Sequence, residues 1–255
     1  MNCFKSNQRK EEELSFLNTD FFQLCYGFYR ARETRENGEK SQDYLVFQEE
    51  NGTLAFALCD GVSLSFYGDT AAKFLGDKLV AWLMKQDEIL FEEGKALFHA
   101  YLETLTEEAT KHIEAVPVNS HLPELVKSVL EEKRNNGSEA MFVCGRIDAL
   151  SNGLYRLFLS SGGDIRVRFF SDNGEEVYQS KLETGVRWST KRGLIGEKVN
   201  IVIEKSCAFH KLLLYSDGLA LLDEKEIGSD EIKEAISQSL ATPESDDVSL
   251  LEITL

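Results

Sequence analysis

Short apolar stretches with the residue types of strands dominate the first sixty positions. Phe21 to Arg30 (FFQLCYGFYR), Asp43 to Gln48 (DYLVFQ) and Thr53 to Cys59 (TLAFALC) each have the aromatic and aliphatic density of a strand. Between the last two, Glu49-Glu50-Asn51-Gly52 is a hairpin signal, because Asn-Gly tolerates the positive φ of a tight turn. From Gly68 the period changes. Ala71, Ala72, Leu75, Leu79, Trp82 and Leu83 recur at helical spacing through Gln86, and Asp69 suits the positive end of the helix dipole. A second helix is expected from about Phe91 to Ala115, and a shorter one around Leu122 to Lys133, closed by the turn Asn135-Asn136-Gly137.

Strand patterns return at Ala140 to Ile147, Leu154 to Ser160, Ile165 to Phe170, Glu176 to Gln179, Asn200 to Glu204 and Leu212 to Tyr215. A helix from about Ser229 to Leu240, a stop at Thr242-Pro243 and a closing strand, Val248 to Leu255, finish the chain. Strands on both sides of a helical pair predict an α+β fold of two packed antiparallel sheets with helices outside. Met1 to Asn18, rich in Lys, Glu and Gln, reads as a frayed terminus or short helix, and Glu33 to Ser41 as a charged loop. The expected organisation is an N-terminal extension over residues 1–20 and one domain over 21–255, since three prolines and no low-complexity tract leave no linker.

At 255 residues, 42% hydrophobic and 28% charged, the chain has enough apolar side chain for one large core. A net charge of −16 repels nucleic acid and anionic lipid, so neither nucleic acid nor membrane is expected as a partner. The five cysteines are odd in number and lack CxxC spacing, which suits free thiols in a reducing compartment. With no basic-then-apolar leader and no apolar run near the ~18 residues of a membrane span, the expected location is cytoplasmic.

The candidate chemistry lies where aspartates meet strand ends. Asp60 terminates LAFALC and precedes Gly61; Asp217 terminates KLLLYS and precedes Gly218. Asp43 begins its strand, and Asp246-Asp247 stand just before the last one. A carboxylate at the end of a buried strand is rigidly held, and a following Gly allows a turn and close approach of its carbonyl to a ligand. Clustered carboxylates raise one another's pKa unless cations offset them. Oxygen donors without paired His or Cys point to Mn²⁺ or Mg²⁺, not Zn²⁺. Taken singly, an Asp-Gly is more often a turn and an Asp before a strand or helix a cap. Order and context raise the case for a site.

These residues carry a family resemblance. Gln42-Asp43, Cys59-Asp60-Gly61-Val62, Gly68-Asp69-Thr70-Ala71-Ala72, Gly137-Ser138-Glu139-Ala140, Gly163-Asp164-Ile165-Arg166, Ser216-Asp217-Gly218-Leu219 and Asp246-Asp247-Val248-Ser249 follow one another as do the motifs of the protein phosphatase 2C-type (PPM) Ser/Thr phosphatases. The chain resembles that metal-dependent family, in a compact bacterial-like form, from about Phe21 to its C-terminus. The resemblance implies a four-layer α-β-β-α sandwich of two antiparallel sheets flanked by helix pairs. It also implies hydrolysis of phosphoserine or phosphothreonine in proteins by a metal-activated water, with two Mn²⁺ or Mg²⁺ ions. By that likeness Asp60 bridges both ions, the Gly61 carbonyl ligates one, Asp217 and Asp246 hold the other, and Asp43 acts nearby through bound water. Asp60 and Asp217 are then the catalytic aspartates, and Asp164 and Arg166 support a turn. The implied partner is a phosphorylated protein, with a cognate Ser/Thr kinase as one candidate.

Several positions depart from the family pattern. Ser63-Leu64 stand where Gly-Gly is usual, and Gly38 where an Arg precedes the first acidic motif. Arg35, Lys40 or Arg32 is left to contact phosphate, with Arg35 ranked first. The Asp that helps hold a third cation is missing, with Arg134 in that region, and Glu139 replaces a Thr. These departures motivate a second reading, a weak or inactive pseudophosphatase acting as a protein-binding regulatory module. A third is a non-enzymatic sandwich whose aspartates only cap turns.

Overall fold

Along Thr53–Gly61, Leu54, Phe56 and Leu58 are buried in one apolar cluster while Ala55, Ala57 and Cys59 are buried in another. Successive side chains of a strand point to opposite faces, so this strand is covered on both sides. A computed structural model of the chain shows what covers it. The structure describes all residues except 152, 197, 226, 243 and 244, so Pro243 of the expected stop signal lies outside the described residues.

In chain order the elements are β1 (Asn2–Lys5), β2 (Glu12–Asn18), β3 (Gln23–Tyr29), α1 (Arg32–Glu36), β4 (Asp43–Glu50), β5 (Thr53–Gly61), α2 (Gly68–Leu83), α3 (Leu90–Glu114) and α4 (Glu124–Asn136). They continue with β6 (Glu139–Ala149), β7 (Tyr155–Gly162), β8 (Arg166–Phe170), β9 (Glu176–Gln179), β10 (Arg187–Ser189), β11 (Gly193–Ile195), β12 (Asn200–Glu204) and β13 (Lys211–Tyr215). A 3-10 helix (Asp217–Leu222), α5 (Ser229–Ala241) and β14 (Val248–Thr254) complete the chain. One sheet runs β1-β4-β5-β6-β10-β11, with β7 on β6 and β12 on β7; the other runs β2-β3-β14-β13-β8-β9. Neighbouring strands are antiparallel throughout.

Three apolar layers hold the sandwich together. Leu45, Phe47, Phe56, Leu58, Leu212, Leu214, Leu251 and Ile253 fill the space between the sheets. Leu75, Leu79, Phe98 and Leu102 of α2 and α3 pack on the outer face of the first sheet, and Leu222, Ile232 and Ala235 of the 3-10 helix and α5 on that of the second. Truncating a fully buried aromatic such as Phe56 to Ala would cost about 3–5 kcal/mol. The result is an α+β, four-layer α-β-β-α sandwich. At the β4–β5 hairpin, Asn51 (φ 52°) and Gly52 (φ 79°) adopt the conformation that their turn signal predicts.

Residues 1–20 differ from the expectation of a frayed or helical extension. β1 pairs with β4 and β2 with β3, so this segment edges both sheets. Phe4 explains the docking: its ring lies 4.5 Å from that of Tyr26 and 5.5 Å from that of Phe47, closing one edge of the inter-sheet core. The polar residues that suggested a loose terminus are the outward rows of edge strands, where charge discourages further pairing. The expected loop after β3 contains α1, braced by an Arg32–Glu36 ion pair of 2.8 Å. β10 and β11, three residues each, are too short to show a period in sequence.

Candidate active site

Beyond the last apolar residue of each central strand, the row facing the opposite sheet becomes polar. On β5 that row runs Leu54, Phe56, Leu58 and then Asp60; on β4, Phe47 and Leu45 are preceded by Asp43, the direct cross-strand partner of Asp60. On the second sheet Leu212 and Leu214 lead to Ser216 and Asp217, and Leu251 and Ile253 lead back to Ser249 and Asp247. A period of two therefore carries carboxylates from both sheets to one end of the sandwich. There the sheets part around a cleft of about 260 Å³ whose walls include Asp60, Asp164, Asp217, Asp246, Asp247 and Gln42.

The glycines after Asp60 and Asp217 serve close backbone packing, not a left-handed turn, since neither has a positive φ. A Cβ on Gly61 would overlap the Gly68 carbonyl, so α2 starts directly against the end of β5. A Cβ on Gly218 would overlap the Asp247 carbonyl, so the 3-10 helix lies against the segment bearing Asp246 and Asp247. Each Asp-Gly thus brings a carboxylate to the rim by letting another chain segment pass at backbone distance.

The electrostatics of the rim are those of uncompensated negative charge. Burial, followed by the charges of Asp217, Asp246, Asp164 and Asp247, pushes Asp60 well above the ordinary carboxylate range. Burial and then Asp60 and Asp247 do the same to Asp43. Asp217 is raised to about 6 by burial and then by Asp246 and Asp164, with Arg166 opposing. Gln42 Oε1 and Asp164 Oδ1 are buried without a hydrogen-bond partner among the described residues. Asp43 Oδ2 likewise meets no donor in bonding geometry, although the Ser216 and Ser249 hydroxyls are near enough to offset part of its rise. Among the described residues no three His, Cys, Asp or Glu side chains form a ready-made ion-binding group. In chemistry the donors fit a hard divalent ion: they are oxygens, they carry excess negative charge, and several lack partners.

The sequence candidates are placed unevenly. Asp60, Gly61, Asp217 and Asp246 line the cleft, and Asp43 is buried across from Asp60 on the neighbouring strand, off the cleft wall. Arg35 is exposed on α1 and is not part of the cleft wall, which holds no Lys or Arg among the described residues. The alternatives are engaged elsewhere, Lys40 with Asp69 (2.8 Å) and Arg32 with Glu36. Arg166 donates to the Asp164 carbonyl (2.7 Å) and pairs with Asp223 (3.3 Å). Asp164, expected to support a turn, lines the cleft as well.

Asp247, a candidate in sequence only as half of the pair before the last strand, has a role of its own in the fold. It is buried and accepts the backbone N–H of Ala31 at Oδ1 and of Gln42 at Oδ2, both at 2.7 Å, pinning the two ends of the segment that carries α1. Glu139 has one too. It is buried and receives both Arg187 and Arg192, clamping the β10–β11 hairpin to β6. An acidic residue adjoining a motif Asp was the available signal for the first; for the second, no local pattern exists.

Solved structures share this architecture. A bacterial serine phosphatase is 13% identical with a TM-score of 0.62, over 91% of this chain and 96% of that one. The Ser/Thr phosphatase Stp1 from Staphylococcus aureus is 14% identical with a TM-score of 0.60, over 96% and 99%. RsbX, solved in complex with magnesium, is 14% identical with a TM-score of 0.58, over 95% and 99%. No family model matches the chain, and no curated protein matches it in sequence. At these identities the likeness establishes the fold, which is that of the phosphatase 2C-type (PPM) proteins.

Proposed function

We propose that the chain is a divalent-metal-dependent phosphatase acting on phosphoserine or phosphothreonine of proteins. One observation carries this reading: carboxylates from distant parts of the chain, Asp43, Asp60, Asp164, Asp217 and Asp246, meet at one end of the sandwich without a basic partner on the cleft wall. So much unbalanced charge favours a cationic ligand. Asp60, Asp217, Asp246 and the Gly61 carbonyl would hold Mn²⁺ or Mg²⁺, two ions by the resemblance, with Asp43 supporting Asp60 from the neighbouring strand. When bound, such ions lower the pKa of water and offset charge on a phosphoryl group. The residues of the chain position and desolvate this site. The β5 and β14 backbones fix the carboxylates, and Asp247 holds the flanking α1 segment. A phosphorylated protein, such as a cognate kinase, is the proposed substrate.

Purified protein with Mn²⁺ is expected to hydrolyse p-nitrophenyl phosphate and a phosphothreonine peptide, with loss of both on chelation. A second reading has its own observation: with Arg35 outside the cleft, no cation from the described residues is positioned to receive phosphate there. If folded protein binds Mn²⁺ without hydrolysing either substrate, the second reading, an inactive pseudophosphatase acting as a protein-binding regulatory module, replaces the first. If it neither binds metal nor hydrolyses, both readings fall.

A further inference from the structure

The acidic cleft shares a wall with a second one of about 300 Å³, and the two differ in character. Val62, Leu64 and Met141 line both; the second adds Lys133, Arg187 and Glu139. Leu64 stands 84% exposed on the shared wall, contributing little to the core. A lone exposed leucine is ordinary, but this one separates a carboxylate-lined cleft from a cation-lined one. Arg187 and Arg192 both reach Glu139, so that buried carboxylate is more than offset. Arg187 uses Nε for this contact and lines the second cleft. Lys133 Nζ makes one long contact, 3.5 Å to the Ser63 carbonyl. In a chain of net charge −16, positive charge lies immediately beside the most acidic feature.

We infer that this second cleft seats the residues flanking the phosphorylated position of a protein substrate. An apolar side chain would lie on Val62, Leu64 and Met141, and a neighbouring Asp or Glu would pair with Lys133 and Arg187. The inference rests on the phosphatase reading of the acidic cleft. Two observations carry it: the wall common to both clefts, and complementarity of charge. Glu139, which stands where the resemblance expects Thr, is then a positioning residue that orients Arg187.

The test uses the full chain with Mn²⁺ and fluorescent peptides carrying a non-hydrolysable phosphonate in place of phosphothreonine, flanked by Leu-Glu or by Leu-Lys. Anisotropy titration is expected to show about tenfold tighter binding of the Leu-Glu peptide, the scale of two partly solvated ion pairs. Lys133→Glu, on the surface with no strong contact to lose, is expected to abolish or reverse this preference, and Arg187→Gln to reduce it. Equal affinity for both peptides, no binding of either, or a preference that survives both substitutions would overturn the inference. Hydrolysis of p-nitrophenyl phosphate is scored separately. Flank preference without hydrolysis sinks the enzymatic reading and leaves the subsite standing; hydrolysis without preference does the reverse.

Discussion

β5 and β6 carry a carboxylate toward each end, buried Asp148 and half-buried Asp60, and the two ends are opposites. At one end Asp148, across from Thr53, accepts Arg146 at 2.7 Å, Arg156 at 2.9 Å and the Thr53 hydroxyl at 3.1 Å. At the other end Asp60, across from Met141 on one side and Asp43 on the other, is crowded by the carboxylates of Asp164, Asp217, Asp246 and Asp247. The same two strands support both. A carboxylate enclosed with its own arginines is complete and serves structure; a group of carboxylates enclosed without them gains stability only when a cation arrives from outside.

Substitution can break that comparison at either end. The largest expected effect is at the completed end: Asp148→Ala strands Arg146 in the interior and should destabilise the fold by about 3–5 kcal/mol in urea denaturation. It should leave the stabilisation by Mn²⁺ unchanged. Asp60→Asn should behave oppositely, lowering Mn²⁺-dependent hydrolysis by roughly a hundredfold or more while leaving the metal-free fold as stable or more so. It should also remove the gain of about 2.7 kcal/mol that saturating Mn²⁺, at a hundred times its Kd, confers on the parent protein. Metal stabilisation persisting in Asp60→Asn would move the ions elsewhere.

A smaller effect sharpens the contrast through pH. Asp217 titrates near 6 in the folded chain against an ordinary 3.8, so between those values the folded state binds more protons than the unfolded one. Stability of the metal-free protein should therefore fall as pH rises from about 4 to about 6, and added Mn²⁺ should flatten or invert that slope. Thermal melts across this window with chelator and with metal decide it. A rise in metal-free stability attributable to Asp217, read as the difference from Asp217→Asn, would contradict the crowding. The smallest effect is at Asp247. Replacing it by Asn leaves one acceptor oxygen for the two backbone N–H groups it now receives, at a cost of about 1 kcal/mol. If α1 helps shape the cleft, hydrolysis should weaken with it.

Much of this was legible along the chain. Apolar runs, their turns and the change of period at Gly68 announce the strands and helices, because side-chain alternation and helical spacing are local properties. Asp43, Asp60, Asp217 and the pair Asp246-Asp247 could be picked out because each interrupts or borders such a run. The tertiary structure alone decided which of them share a cleft, that Asp164 joins them, and that Arg35 does not. It also decided that residues 2–5 and 12–18 edge the two sheets, and that Glu139 holds Arg187 and Arg192 from across the hairpin. The physical reason is range. Periodicity is set by neighbours a few residues away, whereas charge balance at a strand end is set by whichever segments the packing of two sheets brings together, and those here lie more than two hundred residues apart.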